Sequence, residues 1–464
     1  MKHKKGIHFE VSERKVLLRI IDILMVFIGI YTLGLFTKFE YLSVNQENSV
    51  ALGLLIIYIS VFGTVFELYD LQKASQLDAT FRNIVITCST VVLFYLLTPV
   101  LSPYLPEERI QILFFYLALI ISIFIWRVIY IYLIESPRFY KRVLLVAEVS
   151  NIEGLVKALD TKDPNYKIVG FINSETTSDH SVKYKGLKEF EPKQFLEIIQ
   201  KERISEVLVA SFNAEAIIVE VYHDLMLLME RGFKIREYTQ VYEEMLQRVP
   251  IQFVGKDFYK YFPYSRSNEN KLYIFFQRAF DIVLAIIGLL FCIILLPFIL
   301  LGNIIGNKGP LFYSQERVGR NGKLFKILKL RTMVVNAEKD GVKWTQKNDK
   351  RITAFGKFLR NTRLDEIPQF YNVLKGEMSV IGPRPERPFF VKELSRIIPF
   401  YETRHIIKPG LTGWAQVKSR YGSTVEESLI KLQYDLYYIK HRSVFLDLSI
   451  TIKTLSTILY YRGQ

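Results

Sequence analysis

The chain has 464 residues, of which 50% are hydrophobic and 14% aromatic, and its formal net charge at pH 7 is +15. This length allows two or three domains, and the mixture of apolar and basic residues is typical of a membrane protein with a basic cytoplasmic surface. The two cysteines, Cys88 and Cys292, lie in apolar runs, and the six histidines are scattered. These features exclude a disulfide framework and a zinc site, so any metal should be a hard ion with oxygen ligands.

Four apolar runs occupy residues 1–136, at 16–36, 50–66, 84–101 and 110–134. Each is long enough to cross the roughly 30 Å hydrocarbon core of a bilayer. Basic residues precede the first run and follow the fourth, which places the N-terminus and everything after residue 136 in the cytoplasm. The sequence therefore predicts a bundle of four transmembrane helices. We expect its internal charges to snorkel or to pair with one another: Arg19, Asp22 and Arg127.

Short β-branched runs alternate with helical ones over residues 137–250, which predicts a parallel, Rossmann-like α/β domain. Strands are expected at 142–147, 167–172 and 206–210, and helices at 152–159, 195–202 and 214–230. The turn after the first strand, at 147–151, contains no glycine and includes Glu148. A dinucleotide site needs a glycine-rich turn there, so we predict a structural, regulatory or dimerising domain without bound dinucleotide.

An aromatic, basic linker follows at 251–271, and a membrane helix is predicted at 272–306 with its apolar stretch at 279–301. Basic residues flank this stretch on both sides, which removes the charge asymmetry that a crossing would show. Pro297 lies near its end, where proline removes one helical hydrogen bond and crowds the preceding turn. We therefore expect a re-entrant helix that breaks at Pro297 and returns to the cytoplasmic face.

The basic charge is concentrated in the last part of the chain. Residues 271–464 have a net charge of +16, whereas residues 1–270 have a net charge of −1. Within the basic part lies the acidic pair Asp365 and Glu366, surrounded by arginines and lysines. An isolated pair of this kind is most often a solvated helix surface, but two carboxylates among many cations also suit a phosphorylated, metal-bound substrate.

Two further motifs could bind phosphate. Lys329 and Arg331 alternate along a predicted strand, so both should lie on one face and could clamp a diphosphate together. The alternative is a solvated edge strand. Arg384 lies between Pro383 and Pro385, which restrict its backbone and orient the guanidinium at low entropic cost. That motif could also be only a rigid turn.

Taken together, these motifs carry a resemblance to a known family. From about residue 278 onward the chain resembles the catalytic domain of the bacterial sugar transferases, monotopic enzymes that transfer hexose-1-phosphate from a UDP-sugar to polyprenyl phosphate. The N-terminal helices and the Rossmann-like domain resemble the large form of this family. The matching elements are the membrane helix with Pro297, the Gln-Glu-Arg-Val-Gly run at 315–319 with Arg317, and the runs at 329–333, 364–369, 372–379, 382–385 and 409–413. One departure is Leu296, because small members have serine before the proline.

The resemblance implies a small mixed α/β catalytic domain at 307–464 and a role for each matching residue. Asp365 would attack the β-phosphate of the UDP-sugar and release UMP, and polyprenyl phosphate would then take the sugar phosphate from the enzyme. Glu366, together with Asp365, would hold Mg²⁺. Arg360 would steady the transferring phosphoryl group and Arg384 would hold the nucleotide. The remaining substrate-binding positions would be Arg317, Lys329, Arg331, Pro383 and Pro385.

The same resemblance places the protein in the bacterial inner membrane, with the catalytic domain on the cytoplasmic face. It implies initiation of exopolysaccharide, capsule or O-antigen synthesis, with glucose or galactose favoured as the sugar. The expected partners are the UDP-sugar, polyprenyl (undecaprenyl) phosphate and membrane lipid, with a homodimer and polysaccharide-assembly partners as further candidates and no nucleic acid.

Two alternatives stay open from the residues alone. A nucleotide-sugar dehydratase or epimerase would need a Tyr-x-x-x-Lys pair, and Tyr371 and Lys375 have that spacing, but no glycine-rich turn precedes them. A membrane scaffold could use the basic domain to bind anionic lipid, but this would not explain the two carboxylates inside it.

Overall fold

A computed structural model describes residues 11–134 except 38, 40 and 99, residues 140–148, 152, 155, 156 and 159, and residues 166–174, 187–210, 218–251, 270–337, 349–419 and 424–459. The chain forms two compact units, Met1–Leu246 and Gln247–Gln464. The predicted linker at 251–271 lies almost entirely outside the described residues. Residues 247–251 pack within the second unit, where Val249 and Ile251 are buried.

The first unit begins with four apolar helices, as predicted. They are α1 (Val11–Phe36), α2 (Ser49–Val65), α4 (Leu77–Leu96) and α5 (Ile110–Ile134), with the short helix α3 (Leu71–Ala74) between the second and the third. In the part of the chain that the structure describes, α1, α4 and α5 are long and apolar enough to cross a membrane, and α2 is a shorter apolar helix. The third predicted run is displaced, because the helix begins at residue 77 rather than 84.

A charged pair lies inside this bundle. Arg127 Nη2 donates a hydrogen bond to Asp22 Oδ2 over 2.6 Å, and both side chains are fully buried. Arg19 stacks over the Tyr69 ring and donates to Thr64 Oγ1 over 3.3 Å. The predicted pairing is therefore confirmed for Asp22 and Arg127, since the apolar surroundings would penalise an unpaired ion, whereas Arg19 contacts an aromatic ring and a hydroxyl group.

The second half of the first unit contains the predicted parallel sheet. Its strands are β1 (Lys141–Ala147), β2 (Tyr166–Asn173), β3 (Lys188–Phe190), β4 (Glu206–Val209) and β5 (Ile235–Glu237), in the order β3-β2-β1-β4-β5. All four pairings are parallel. The described helices are α6 (Phe195–Lys201), α7 (Val219–Glu230) and α8 (Tyr238–Leu246). Most of the predicted helix at 152–159 and residues 149–151 of the glycine-free turn lie outside the described residues.

The first helix described in the second unit is the membrane helix α9 (Lys271–Gly306), which is 36 residues long and is capped at its start by the Asn270 side chain. The helix continues through Pro297 to Gly306, so the expected division into two helices at this proline is not observed. A single proline can be accommodated within a helix at the cost of one hydrogen bond. The return of the helix to the cytoplasmic face stays a prediction.

Both ends of α9 pack on the second unit. Near its start, Tyr273 donates its hydroxyl to Asp447 Oδ2 over 2.6 Å, and Asp281 Oδ1 accepts from Val380 N over 2.8 Å. Near its end, Gly302 lies against Phe355, and a Cβ at this glycine would meet the ring at 2.3 Å. The absence of a side chain therefore permits this close approach.

The rest of the second unit is a mixed α/β domain. Strands β6 (Phe312–Val318) and β7 (Leu324–Leu330) form an antiparallel hairpin, and β8 (Ser379–Ile381) pairs in parallel with β9 (Gly410–Thr412). The described helices are α10 (Ala354–Asn361), α11 (Phe370–Lys375), α12 (Pro388–Ile397), α13 (Trp414–Lys418), α14 (Val425–His441) and α15 (Val444–Leu459). Their shared core includes Phe325, Val373, Met378, Trp414 and Leu432.

Candidate active site

The acidic pair lies on a tight helical segment. After α10 the chain turns at Arg363, whose φ is +59°, and enters a 3₁₀ helix at Leu364–Gln369 that leads directly into α11. A 3₁₀ helix has three residues per turn, so adjacent side chains point about 120° apart. Asp365 and Glu366 are consequently directed into different surroundings.

Glu366 is held by cations. Arg384 Nη2 lies 2.6 Å from its Oε1, Lys329 Nζ 3.3 Å and Arg363 Nη1 3.7 Å. Burial opposes ionisation of this carboxyl, but Arg384, Lys329 and Arg363 outweigh it and hold its pKa well below the usual range. Glu366 is therefore an anion at neutral pH.

Asp365, unlike Glu366, has a carboxyl oxygen without a hydrogen-bond partner among the described residues and a raised pKa. Its side chain is largely buried, with 7% of the residue surface exposed, and its Oδ1 has no hydrogen-bond partner among the described residues. Burial and the neighbouring Glu366 carboxylate raise its pKa to about 6, against the opposing effect of Lys329 and two arginines. Its carboxylate is ionised at neutral pH, and the lone pairs of Oδ1 accept no hydrogen bond from any residue that the structure describes.

Three predicted cations meet around this pair. Lys329, at the end of β7, is deeply placed, and burial lowers its pKa although Glu366 opposes that shift. Arg360 projects from α10 and donates from Nε to Thr332 Oγ1 over 2.8 Å, near enough to Asp365 to favour its ionised form. Arg384 reaches Glu366 from the loop between β8 and α12. All three residues named from the sequence thus lie close to the acidic pair, and their roles toward substrate stay predictions.

The prolines beside Arg384 fix its loop through their carbonyl groups. Gly410 N donates to the Pro383 carbonyl over 2.8 Å, and Arg317 Nη1 donates to the Pro385 carbonyl over 3.2 Å. Arg317 also lies 3.8 Å from Glu386. Arg317, Pro383 and Pro385 thus stabilise the loop that carries Arg384, and these contacts lie on the backbone rather than on the acidic pair.

Arg331 does not join Lys329 as a phosphate clamp. The strand ends at Leu330, and the Arg331 guanidinium turns toward the end of α9, where it donates to the carbonyls of Asn307, Pro310 and Met333. It also donates to Asn307 Oδ1 over 3.1 Å. Because its donors are committed to these acceptors, Arg331 holds the exit of the membrane helix and contacts neither Asp365 nor Glu366.

Arg363 and Thr332 belong to the site although the sequence analysis gave them no role. The left-handed backbone at Arg363 directs its side chain back to Glu366, and a positive φ at a non-glycine residue is uncommon enough to mark a special turn. Thr332 lies 28 residues before Arg360, the arginine that it orients. No local sequence pattern predicts a contact between two residues that lie so far apart in the chain.

The acidic pair could supply part of the ligand set of a magnesium ion, with substrate phosphates supplying the rest. Among the described residues, no group of three or more His, Cys, Asp or Glu side chains could hold a metal by itself. Mg²⁺, however, is commonly bound by one or two carboxylates together with substrate phosphates. The unpartnered Oδ1 of Asp365 offers one such ligand, and Glu366 could add a second carboxylate only through Oε2, because its Oε1 already accepts from Lys329 and Arg384.

Comparison with known proteins identifies the family to which the part of the chain with this site is similar. The family model for bacterial sugar transferases matches residues 272–461, which include α9 and the acidic pair. A Bacillus subtilis protein, provisionally named an undecaprenyl-phosphate N-acetylgalactosaminyl 1-phosphate transferase, is 47% identical over 144 residues, and the match covers 79% of that protein and 30% of this chain. The chain belongs to the bacterial sugar transferase family.

Larger members of the family match over less of their length. An Aeromonas hydrophila protein named UDP-N-acetylgalactosamine-undecaprenyl-phosphate N-acetylgalactosaminephosphotransferase is 45% identical over 191 residues, which cover 41% of this chain and 45% of that protein. A Klebsiella pneumoniae protein named UDP-glucose:undecaprenyl-phosphate glucose-1-phosphate transferase is 41% identical over 187 residues, with 40% of each chain covered. The aligned part of this chain thus spans less than half of each of these relatives.

Proposed function

We propose that this protein transfers a sugar-1-phosphate from a UDP-sugar to polyprenyl phosphate and releases UMP. The observation that carries the proposal is the contrast within the acidic pair, where Glu366 is held by cations and Oδ1 of Asp365 has no hydrogen-bond partner among the described residues. The names of the relatives support undecaprenyl phosphate as the acceptor. A free carboxylate among phosphate-binding cations suits covalent catalysis on phosphorus.

In the first step, an oxygen of Asp365 attacks the β-phosphorus of the UDP-sugar. The bond from that phosphorus to the bridging oxygen breaks, UMP leaves with the bridging oxygen, and the sugar phosphate becomes an acyl phosphate on Asp365. In the second step, a phosphate oxygen of the polyprenyl phosphate attacks the same phosphorus and regenerates the carboxylate. A pKa of about 6 makes Asp365 more basic than an ordinary aspartate, yet leaves it ionised at pH 7.

The cations around the acidic pair would offset the negative charge of the substrate phosphates. Lys329 and Arg384 lie against Glu366, and Arg360 lies near enough to Asp365 to favour its ionised form. Preorganised cations can stabilise the charge that develops on the transferring phosphoryl group without rearrangement. Asp365 and Glu366 would hold Mg²⁺, which when bound neutralises diphosphate charge.

The membrane helix would bring the site to the lipid acceptor. A straight helix of 36 residues is about 54 Å long, well beyond the roughly 30 Å hydrocarbon core, yet residues near both of its ends pack on the same unit. That arrangement supports a helix that enters and leaves the membrane on one face, which we assign to the cytoplasmic face of the bacterial inner membrane. The lipid-facing side would be the exposed apolar residues Phe276, Val283, Ile287, Leu290, Ile294, Phe298, Leu301 and Ile305.

The test is release of UMP from a panel of UDP-sugars by purified full-length protein with undecaprenyl phosphate and Mg²⁺. The panel contains UDP-glucose, UDP-galactose and their N-acetyl counterparts, because the names of the relatives include both kinds of sugar. We expect lipid-dependent turnover with one of them and none with Asp365→Asn. Glu402→Gln, which changes an exposed acid, serves as the control and should keep activity. If wild-type protein releases no UMP from any of the four, the proposal fails.

A further inference from the structure

A second buried ion pair lies beneath the active-site loop. Arg404, on a 3₁₀ helix at Tyr401–Ile406, donates from Nη2 to Asp435 Oδ2 on α14 over 2.7 Å. The two residues are 5% and 1% exposed. Arg404 Nη1 also donates to the Tyr401 hydroxyl over 2.8 Å. Burying such a pair costs desolvation energy that the attraction between the charges scarcely recovers, so stability alone does not explain it.

One further contact connects this pair to the active site. Arg404 Nη2 donates to the backbone carbonyl of Arg384 over 3.1 Å. The side chain of Arg384 in turn lies 2.6 Å from Glu366. A continuous path of hydrogen bonds therefore runs from Asp435 through Arg404 to the backbone of Arg384, and from its guanidinium to the acidic pair.

The contact anchors a loop whose backbone torsions the prolines already restrict. Pro383 and Pro385 fix their own φ angles, and Pro385 also restricts ψ of Arg384 to extended values, but restricted torsions do not by themselves hold Arg384 against the rest of the unit. The Arg384 carbonyl accepts from Arg404 Nη2 and thereby ties the backbone of this residue to the buried ion pair. By donating to this carbonyl, Arg404 holds the backbone position from which the Arg384 side chain extends to Glu366.

We propose that Arg404, held by Asp435, is a positioning residue that orients Arg384 toward Glu366 and the substrate phosphates. Its kinetic consequence rests on the proposed sugar-phosphate transfer, whereas its structural consequence does not. Arg404 touches no reacting atom. Its role is to restrict Arg384 to one conformation before the substrate binds.

The kinetic test is a double-mutant cycle. Arg404→Lys keeps a positive charge beside Asp435 but lacks the planar fork that reaches the second acceptor. We expect it to lower kcat/KM for the UDP-sugar roughly 10- to 100-fold, because small misplacements of catalytic groups cost about that much. In an Arg384→Lys background the same change should cost less than about threefold, since coupled residues are not additive. Equal losses in both backgrounds would overturn the proposal.

The matched control is Arg351→Lys. Arg351 also pairs with an aspartate, Asp349, over 2.6 Å, and also donates to a backbone carbonyl, that of Ala337, in the same unit. This pair is more exposed than that of Arg404 and Asp435, so Arg351→Lys should lose less thermal stability, and it should show no coupling to Arg384. If Arg404→Lys does not fold, Asp435→Asn replaces it, because that variant keeps the arginine and weakens its anchor.

A measurement without substrate separates this proposal from the proposed function. Hydrogen–deuterium exchange of the peptide covering 381–388 should be faster in Arg404→Lys than in wild type, and unchanged in Arg351→Lys. If wild type releases no UMP but this difference is seen, the transfer reaction is wrong and the positioning contact stands. If folded Arg404→Lys shows wild-type exchange in this peptide, Arg404 does not hold the loop and the proposal fails, whatever the reaction.

Discussion

Asp365 and Glu366 are neighbours in the chain, but Glu366 Oε1 lies within 4 Å of Lys329, Arg363 and Arg384, whereas Asp365 Oδ1 receives no hydrogen bond from any residue that the structure describes. The 3₁₀ geometry makes this contrast possible, because it separates adjacent side chains by about 120°. One carboxylate is thus held by the protein and the other is left available.

The first prediction concerns the pH dependence of stability. The folded pKa of Asp365, about 6, lies above its ordinary value of 3.8, so between these values the folded chain binds a proton that the unfolded chain has released. Stability from this group is therefore lost as the pH rises through that window. Asp365→Asn mimics the neutral form and should be more stable than wild type by about 3 kcal/mol at pH 7.

Thermal unfolding of both proteins in detergent at several pH values checks this. The variant should have the higher Tm at pH 7, and the difference should shrink toward pH 4. A Tm of Asp365→Asn that is lower than wild type at pH 7 would show that the carboxylate is a stabilising element rather than an available one.

Glu366→Gln should have the opposite effect on stability. It leaves Lys329, Arg363 and Arg384 close together without their shared anion, and removing one partner from a mostly buried ionic cluster costs about 3 kcal/mol. We expect a lower Tm together with a loss of about 10²- to 10³-fold in kcat. Its residual activity should need a higher Mg²⁺ concentration. A variant with wild-type Tm and wild-type turnover would exclude the proposed role of Glu366.

Substitutions at Lys329 and Arg331 should have different effects, the first on catalysis and the second on stability. Lys329→Met removes a cation from the acidic pair and should lower kcat/KM at least tenfold with little loss of Tm. Arg331→Lys leaves buried acceptors around Asn307 without donors and should lower the free energy of unfolding by about 2 to 4 kcal/mol. Its KM for the UDP-sugar should stay near wild type. If Arg331→Lys kept its Tm and raised KM, Arg331 would bind substrate after all.

These two residues also show where sequence reasoning succeeds and fails. The alternation at 325–331 correctly predicted a strand, and Lys329 on that strand lies beside Glu366. It could not show that the strand ends at Leu330, because Arg331 is diverted by Asn307, which is 24 residues earlier in the chain. The same limit applies to Arg404 and Asp435, since nothing local relates either of them to Arg384. Strands β3 and β5 have only three residues each, too few for a periodic pattern.

The larger elements were predictable because each has a strong local signal. Long apolar runs gave the four N-terminal helices, and alternating β-branched and helical runs gave the parallel sheet. The proline at position 297 suggested an interruption of the membrane helix, but the helix continues through it to Gly306. The sequence indicates only that Pro297 weakens the helix locally. Whether the helix continues beyond it depends on contacts with distant residues, such as that of Gly302 with Phe355.

The path of α9 through the membrane can be tested with cysteines at its exposed ends. Lys271→Cys and Lys308→Cys, in a chain whose Cys88 and Cys292 are replaced by serine, should both resist a membrane-impermeant maleimide added to intact cells and react after the membrane is opened. Gln46→Cys, in the loop between α1 and α2, should react from outside. Labelling of either end of α9 from outside would contradict a helix that returns to the cytoplasmic face.

The central claim is that Asp365 becomes covalently bonded to the sugar phosphate. The most direct measurement is peptide mass spectrometry of the full-length protein incubated with Mg²⁺ and a UDP-sugar that supports turnover, without lipid acceptor, and quenched rapidly in acid. We expect a sugar-phosphate adduct on the peptide that contains Asp365, lost when undecaprenyl phosphate is added and absent from Asp365→Asn. Sustained turnover by Asp365→Asn, with no adduct trapped on the wild type, would contradict it and indicate direct transfer between the two substrates.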